Sequence, residues 1–134
     1  MATGEIIGSF CLTEPDSGSD AASVKTTAIR QGDNYLINGT KRFITNAPSA
    51  DLFTVFARTH PQEKGARGVS AFLVDGNLPG ITLGSPYRKM GQQGAPVCDV
   101  MFDDVSVSQD KLVGARENVG FATAMKVLDK GRLH

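Results

Sequence analysis

Two short stretches hold the residue types that could do ligand chemistry. They are Leu12-Thr13-Glu14-Pro15-Asp16-Ser17-Gly18-Ser19-Asp20 and Lys41-Arg42-Phe43-Ile44-Thr45-Asn46. The hydroxyls of Thr13, Ser19 and Thr45 can both donate to and accept from a polar ring edge or a phosphate. Gly18 lets the backbone come close where a side chain would stand in the way. Converging at one sheet edge, the two stretches would suit a planar, heteroatom-rich ligand with a phosphate tail. The residues alone leave plainer readings open. Thr13-Glu14-Pro15 also reads as a strand end and proline turn capped by Ser17, Ser19 and Asp20, and Thr45-Asn46 as a capped turn without a ligand. An aromatic such as Phe43 on a strand is ordinarily core, but its register two residues before Thr45 puts both on one face.

These stretches must be positioned by a mostly β-type framework. Ile6–Thr13 is an apolar run stopped by Pro15. Ser23–Arg30 alternates as a half-buried strand, and Gln31-Gly32-Asp33-Asn34 is a turn. Tyr35–Asn38 and Lys41–Thr45 flank Asn38-Gly39, a strong short-range hairpin signal that would fold the second stretch back beside the first. Leu52–Arg58 and Val69–Val74 read as buried strands on either side of a charged loop at 59–68. Further strands are expected at Ile81–Ser85, Val97–Asp103 and Val105–Val107. After Gly120 the period changes: Phe121, Ala124, Met125 and Leu128 recur at helical spacing. Short strands without intervening long helices predict an all-β fold, a small orthogonal barrel or sandwich with a short C-terminal helical segment. A strand almost at Met1 and an amphipathic stretch that stops at His134 make both ends read as cuts through a larger protein.

The 134 residues suffice for one core. Hydrophobic residues at 40% and charged residues at 21% are an ordinary globular balance. The 14 basic and 14 acidic side chains cancel, so no global field draws the chain to nucleic acid or an anionic membrane, and an anionic ligand must be held by local donors. No apolar run approaches the roughly 20 residues of a membrane span, and residues 1–10 lack the pattern of a secretory signal. Cys11 and Cys98 have no metal-ligand spacing and read as reduced, buried thiols; His60 and His134 make no metal site.

Thr13-Glu14-Pro15 with Gly18-Ser19-Asp20, Asn38-Gly39-x-Lys41, Ile44-Thr45-Asn46, Ala50-Asp51, Lys89-Met90-Gly91, Phe102-Asp103-Asp104-Val105, Gly114 and Leu128-Asp129-x-Gly131-Arg132 follow one another in an order that resembles the acyl-CoA dehydrogenases. Each motif is weak, but their joint order is specific and covers essentially the whole chain. The resemblance implies the central β-domain at residues 1–116 and the start of the C-terminal helical domain at 117–134. It also implies FAD as cofactor, an acyl-CoA substrate oxidised to its 2,3-enoyl-CoA with hydride transfer to flavin N5, and electron-transferring flavoprotein as redox partner. The parent would be a dimer or tetramer, cytoplasmic in a bacterium or in the mitochondrial matrix of a eukaryote.

Carried over by position, Phe10, Leu12, Thr13, Gly18 and Ser19 form a first FAD-contacting segment and Phe43, Ile44 and Thr45 a second. Thr45 falls nearest flavin N5. Ser19, Asp129 and Arg132 fall toward the CoA substrate. Position 43 is commonly tryptophan in the family and is phenylalanine here, so an indole N–H is missing. None of Glu5, Glu14, Glu63 or Glu117 matches the family's catalytic base, which is expected in a C-terminal domain beyond this chain. The competing readings are a flavin-binding relative without catalysis, such as a protective DNA-associated protein, and an oxygen-using oxidase.

Overall fold

The computed structural model describes residues 3–131. Seven strands form one sheet: β1 (Gly8–Cys11), β2 (Thr27–Gln31), β3 (Asn34–Thr45), β4 (Leu52–Arg58), β5 (Val69–Asp75), β6 (Ile81–Leu83) and β7 (Val97–Ser108). One helix, α1 (Gly120–Gly131), follows. The sheet runs β1-β4-β2-β3-β7-β6, with β5 antiparallel to β4 on the remaining side. It curls into a half-barrel, as the short strands and absent crossover helices imply. The curl brings β1 back beside β3, where Ser9 Oγ donates to the Thr45 carbonyl at 2.8 Å and the Arg42 N–H to the Thr13 carbonyl at 2.8 Å.

The barrel interior holds Cys11, Ile37, Ile44, Phe53, Val55, Phe72, Val100 and Val105, all nearly solvent-free. A second cluster lies outside β4 and β5, where Leu12, Val24, Phe56, Val69 and Ala71 meet Ala124 of α1. β4 is therefore covered on both faces, with Phe53, Val55 and Ala57 buried in the barrel interior and Phe56 in the outer cluster. The helix reaches β5 closely because its first residue is Gly120: a Cβ there would stand 2.7 Å from the Ala71 backbone nitrogen.

Three sequence expectations are corrected. Asn38-Gly39 is not a hairpin; both residues lie inside the continuous strand β3. The hairpin turn is Gly32-Asp33, between Gln31 and Asn34. Asn38 instead spans an irregularity in the β3–β7 ladder: its Nδ2 donates to Asp104 Oδ1 and its Oδ1 accepts the Asp104 N–H, each at 2.8 Å. Gly39 is needed because a Cβ would lie 2.8 Å from Thr26 Cα. The strand expected at Ser23–Arg30 starts only at Thr27, since residues 21–23 make a short 3₁₀ turn. The two strands expected on either side of Asp104 are one, β7, in which Asp104 takes a left-handed φ of 48°. The charged loop at 59–68 is also held more firmly than its composition implies, because Arg58 donates to the carbonyls of Val24, Ala22, Glu63 and Gly65.

Candidate functional site

The first stretch leaves β1 and turns at Pro15. Glu14 and Ser17 exchange backbone hydrogen bonds across the turn, and Ser17 Oγ donates to the Asp20 carbonyl at 2.7 Å. This folds Gly18 and Ser19 outward, both exposed. A Cβ on Gly18 would meet nothing within 4 Å, so the chain's own packing does not demand glycine there. The open backbone suits a ligand brought in from outside, such as the phosphates of a dinucleotide.

A buried ion pair ties the first stretch to the second. Lys41 Nζ lies 2.8 Å from Glu14 Oε1, with the two side chains 0% and 4% exposed, and it also donates to the Leu12 carbonyl at 3.2 Å. Glu14 further accepts the backbone N–H groups of Lys25 at 2.6 Å and Thr26 at 3.0 Å. Burial alone would raise the Glu14 carboxyl, but the Lys41 ammonium and these hydrogen bonds outweigh it and hold the group below its ordinary 4.5. Burial also pushes the Lys41 ammonium down, with Glu14 opposing. Each charge is thus satisfied from several sides, the condition under which a buried pair can persist. Neither residue was assigned a role from sequence, although both lie in the quoted motifs. The signal available was register: Tyr35, Ile37 and Lys41 share the inward parity of β3, which a lone cation would not occupy without a partner.

In the second stretch Phe43 is 57% exposed and holds a left-handed φ of 57°. Thr45 is exposed on the same strand, whereas the Ile44 side chain is in the barrel core and leaves only its backbone for a ligand. Phe10 is half-buried, its ring 4.8 Å from that of Phe56.

Beside the first stretch lies a cavity of about 420 Å³. Phe10, Leu12, Thr13, Gly18 and Ser19 form one side of it and Phe121, Met125 and Leu128 of α1 the other. The fold therefore gathers all five predicted residues of the first stretch under an apolar roof. Phe43, Ile44 and Thr45 are joined to them through the Thr13–Arg42 and Ser9–Thr45 bonds and do not line the cavity itself. Asp129 is exposed on α1 and is not on its wall; Arg132 lies outside the described residues. Exposed hydroxyls, an exposed aromatic, open backbone at Gly18 and apolar walls together fit a flavin dinucleotide in chemical character.

Other buried titratable groups near the sheet are held by structure and not by a ligand. Tyr35 donates its hydroxyl to Glu117, and burial first, then that bond, pushes its phenol up to about 12. Cys11 and Cys98 are free thiols at 0% exposure, and burial pushes Cys11 up to about 12 against the opposing charge of Lys41. Such a thiol is inert. Among the described residues no helix is long and apolar enough to cross a membrane.

Residues 9–105 match the family description "Acyl-CoA dehydrogenase, middle domain". The chain is 46% identical over 133 residues to the caffeyl-CoA reductase-Etf complex subunit CarC of Acetobacterium woodii, covering 99% of this chain and 35% of that protein. It superposes on the crystal structure of acyl-CoA dehydrogenase from Geobacillus kaustophilus with a TM-score of 0.93 at 41% identity, covering 98% of this chain and 34% of that one. A structure of PigA with FAD and proline matches with a TM-score of 0.85 at 39% identity, over 90% of this chain and 31% of PigA. The chain thus spans about a third of the length of the curated relatives it matches.

Proposed function

The chain belongs to the acyl-CoA dehydrogenase family as its middle domain, and on that premise we propose that it supplies one wall of an FAD-dependent site for α,β-dehydrogenation of an acyl-CoA thioester. The observation that carries this reading is the joining of the two hydroxyl-bearing stretches. Glu14–Lys41 and Thr13–Arg42 clamp them side by side at the rim of an apolar cavity. The similarity to PigA, whose structure was solved with FAD, supports the choice of cofactor.

FAD, when bound, supplies the two-electron acceptor. The chain's own part is to bind, orient and exclude water. Thr13 and Thr45 would offer hydroxyls to the polar edge of the ring system, with Thr45 the residue proposed nearest N5, and the exposed Phe43 ring would offer it an apolar face. Leu12 and Phe10 add apolar surface, the backbone at Ile44 adds polar contacts, and Gly18 and Ser19 receive the pyrophosphate. By the resemblance, Ser19, Asp129 and Arg132 would be the residues that contact the CoA moiety. Phe121, Met125 and Leu128 keep water from the cavity, which strengthens every polar contact within it. Holding the reactants in place can contribute roughly 7–11 kcal/mol to the barrier reduction.

On this reading the base comes from elsewhere in the parent: Glu14 is committed to Lys41 and Glu117 to Tyr35, and among the described residues no glutamate lines the cavity. That role falls to a helical domain that residues 117–134 would open. Electron-transferring flavoprotein is the redox partner on this reading, in keeping with the similarity to a subunit of an Etf complex, and the parent protein is a homodimer or homotetramer.

The test is an anaerobic visible spectrum of the full-length flavoprotein mixed in turn with short, medium, branched and aromatic acyl-CoAs. Bleaching of the oxidised flavin band by one class supports the reading and names the substrate. A bound flavin that no acyl-CoA reduces points to a non-catalytic relative, and a protein without flavin overturns the site.

A further inference from the structure

The second stretch is built around a local departure from strand geometry. On β3, Lys41 pairs with Val100 of β7 and Ile44 with Cys98. Arg42 and Phe43 therefore stand opposite the single residue Asp99, the two-against-one arrangement of a β-bulge. Phe43 takes φ 57°, a conformation that β-type aromatic residues rarely adopt and that persists only when the surroundings enforce it.

The enforcing group is the Asp99 carboxylate. Its Oδ1 accepts the Phe43 backbone N–H at 3.2 Å and the Tyr87 hydroxyl at 3.0 Å, and its Oδ2 accepts Arg42 Nε–H at 3.4 Å. Asp99 is itself fixed, because its backbone carbonyl accepts the Gly84 N–H at 2.9 Å and its side chain is only 20% exposed. Both residues held by the carboxylate then flank the exposed ring of Phe43. Tyr87 packs at 5.1 Å between centroids, and the Arg42 guanidinium lies 5.7 Å from the ring centre. One carboxylate thus sets the backbone, the aromatic neighbour and the cationic neighbour of the one aromatic ring in the second stretch.

We infer that Asp99 is a positioning residue that acts through Phe43: by clamping the bulge it fixes the angle at which the Phe43 ring, beside Thr45, meets the bound flavin. The inference rests on the flavin reading above and extends it to a residue outside both stretches. A strand without the bulge would turn Phe43 elsewhere, since a one-residue change in register reverses the facing of a side chain.

The experiment uses the full-length flavoprotein as wild type, Asp99→Ala and Asp99→Asn, each also in a Phe43→Gly background. Glycine adopts the left-handed conformation without help and has no ring to aim. The readouts are amide hydrogen exchange over residues 41–45, the flavin visible spectrum and midpoint potential, and kcat and KM. Asp99→Ala is expected to speed exchange at Phe43, shift the flavin spectrum and potential, and lower kcat by about ten- to a hundredfold with little change in KM, the scale of a small misplacement. Asp99→Asn, which keeps an acceptor for the Phe43 N–H, is expected to recover most of this. In the Phe43→Gly background Asp99→Ala should add less than about twofold, because the cycle isolates what passes through the ring.

Faster exchange with an unaltered flavin spectrum, potential and kcat would show a merely structural aspartate and overturn the inference. So would an Asp99→Ala effect of equal size in the Phe43→Gly background, or an unprotected Phe43 amide in the wild type. Absence of flavin from the wild-type protein would overturn the flavin reading and this one with it, whereas bound flavin indifferent to Asp99 overturns this one alone.

Discussion

Lys41 places an ammonium at 0% exposure in a barrel of aliphatic and aromatic side chains, a position where only complete pairing keeps a charge. Removing one partner should cost far more than removing both. Lys41→Met is expected to lower stability by roughly 3–5 kcal/mol, because Glu14 is left buried and uncompensated, while Lys41→Met with Glu14→Gln should cost much less. Denaturant unfolding of the two variants checks this. The same pair sets an acid limit. Glu14 has its carboxyl held below its ordinary 4.5 in the folded state, so its contribution is present above that value and is lost as pH falls through the lowered folded value. Unfolding curves between neutral and acid pH should show a loss of stability in that window, and a flatter dependence in the double variant. The motif order identified both residues but gave neither a partner: Glu14 and Lys41 are 27 positions apart, and only the closing of β1 onto β3 makes them neighbours.

At the scale of elements, α1 and the segment leading to it are fastened to the sheet at several points, two of which can be tested. One is Gly120, where any side chain would collide with the Ser70–Ala71 backbone of β5. Gly120→Ala should displace the start of the helix and cost about 1–3 kcal/mol, the range for overpacking a tight contact, with faster amide exchange along α1 as its signature. The other is the Tyr35–Glu117 hydrogen bond, which ties the lead-in segment to β3. The Tyr35 phenol is raised from 10.0 to about 12, so its contribution is fully present below 10.0 and lost as pH rises toward the folded value. A spectrophotometric titration should find both tyrosines ionising late, Tyr87 beside Asp99 as well as Tyr35, and Glu117→Gln, which removes the charge without adding apolar bulk, should bring the Tyr35 transition to lower pH. Several elements were legible beforehand. β4, rich in Phe and Val, has the ends its sequence implied, the turn at Gly32-Asp33 falls in a polar cluster, and the stripe of Phe121, Ala124, Met125 and Leu128 faces the sheet as its spacing implied. Asn38-Gly39 misled because its φ > 0 preference serves a hairpin and a close strand approach equally well; what separates the two is Thr26, packed over Gly39 from outside the segment.

The described residues form a curled sheet whose two hydroxyl-bearing stretches lie side by side, with α1 as roof over the first. Because the chain spans about a third of its relatives' length, the proposed site is one wall of a larger one. The 134-residue chain alone is therefore expected to bind FAD at least about a hundredfold more weakly than the full-length protein, the scale on which a second preorganised surface adds affinity, and equilibrium titration of both would check this. The sequence by itself determined the β-rich class, most strand positions and the helical stripe, because these follow from local φ/ψ preference and from the facing of neighbouring residues along one element. Tertiary structure alone decided the pairing of Lys41 with Glu14, the bulge that Asp99 holds against Phe43, the core position of Ile44 and the joining of the two stretches at one rim. The physical reason is that a buried charge or an unpaired backbone N–H must be satisfied by whichever group the closed sheet brings to it, and that group is chosen by register across strands distant in sequence.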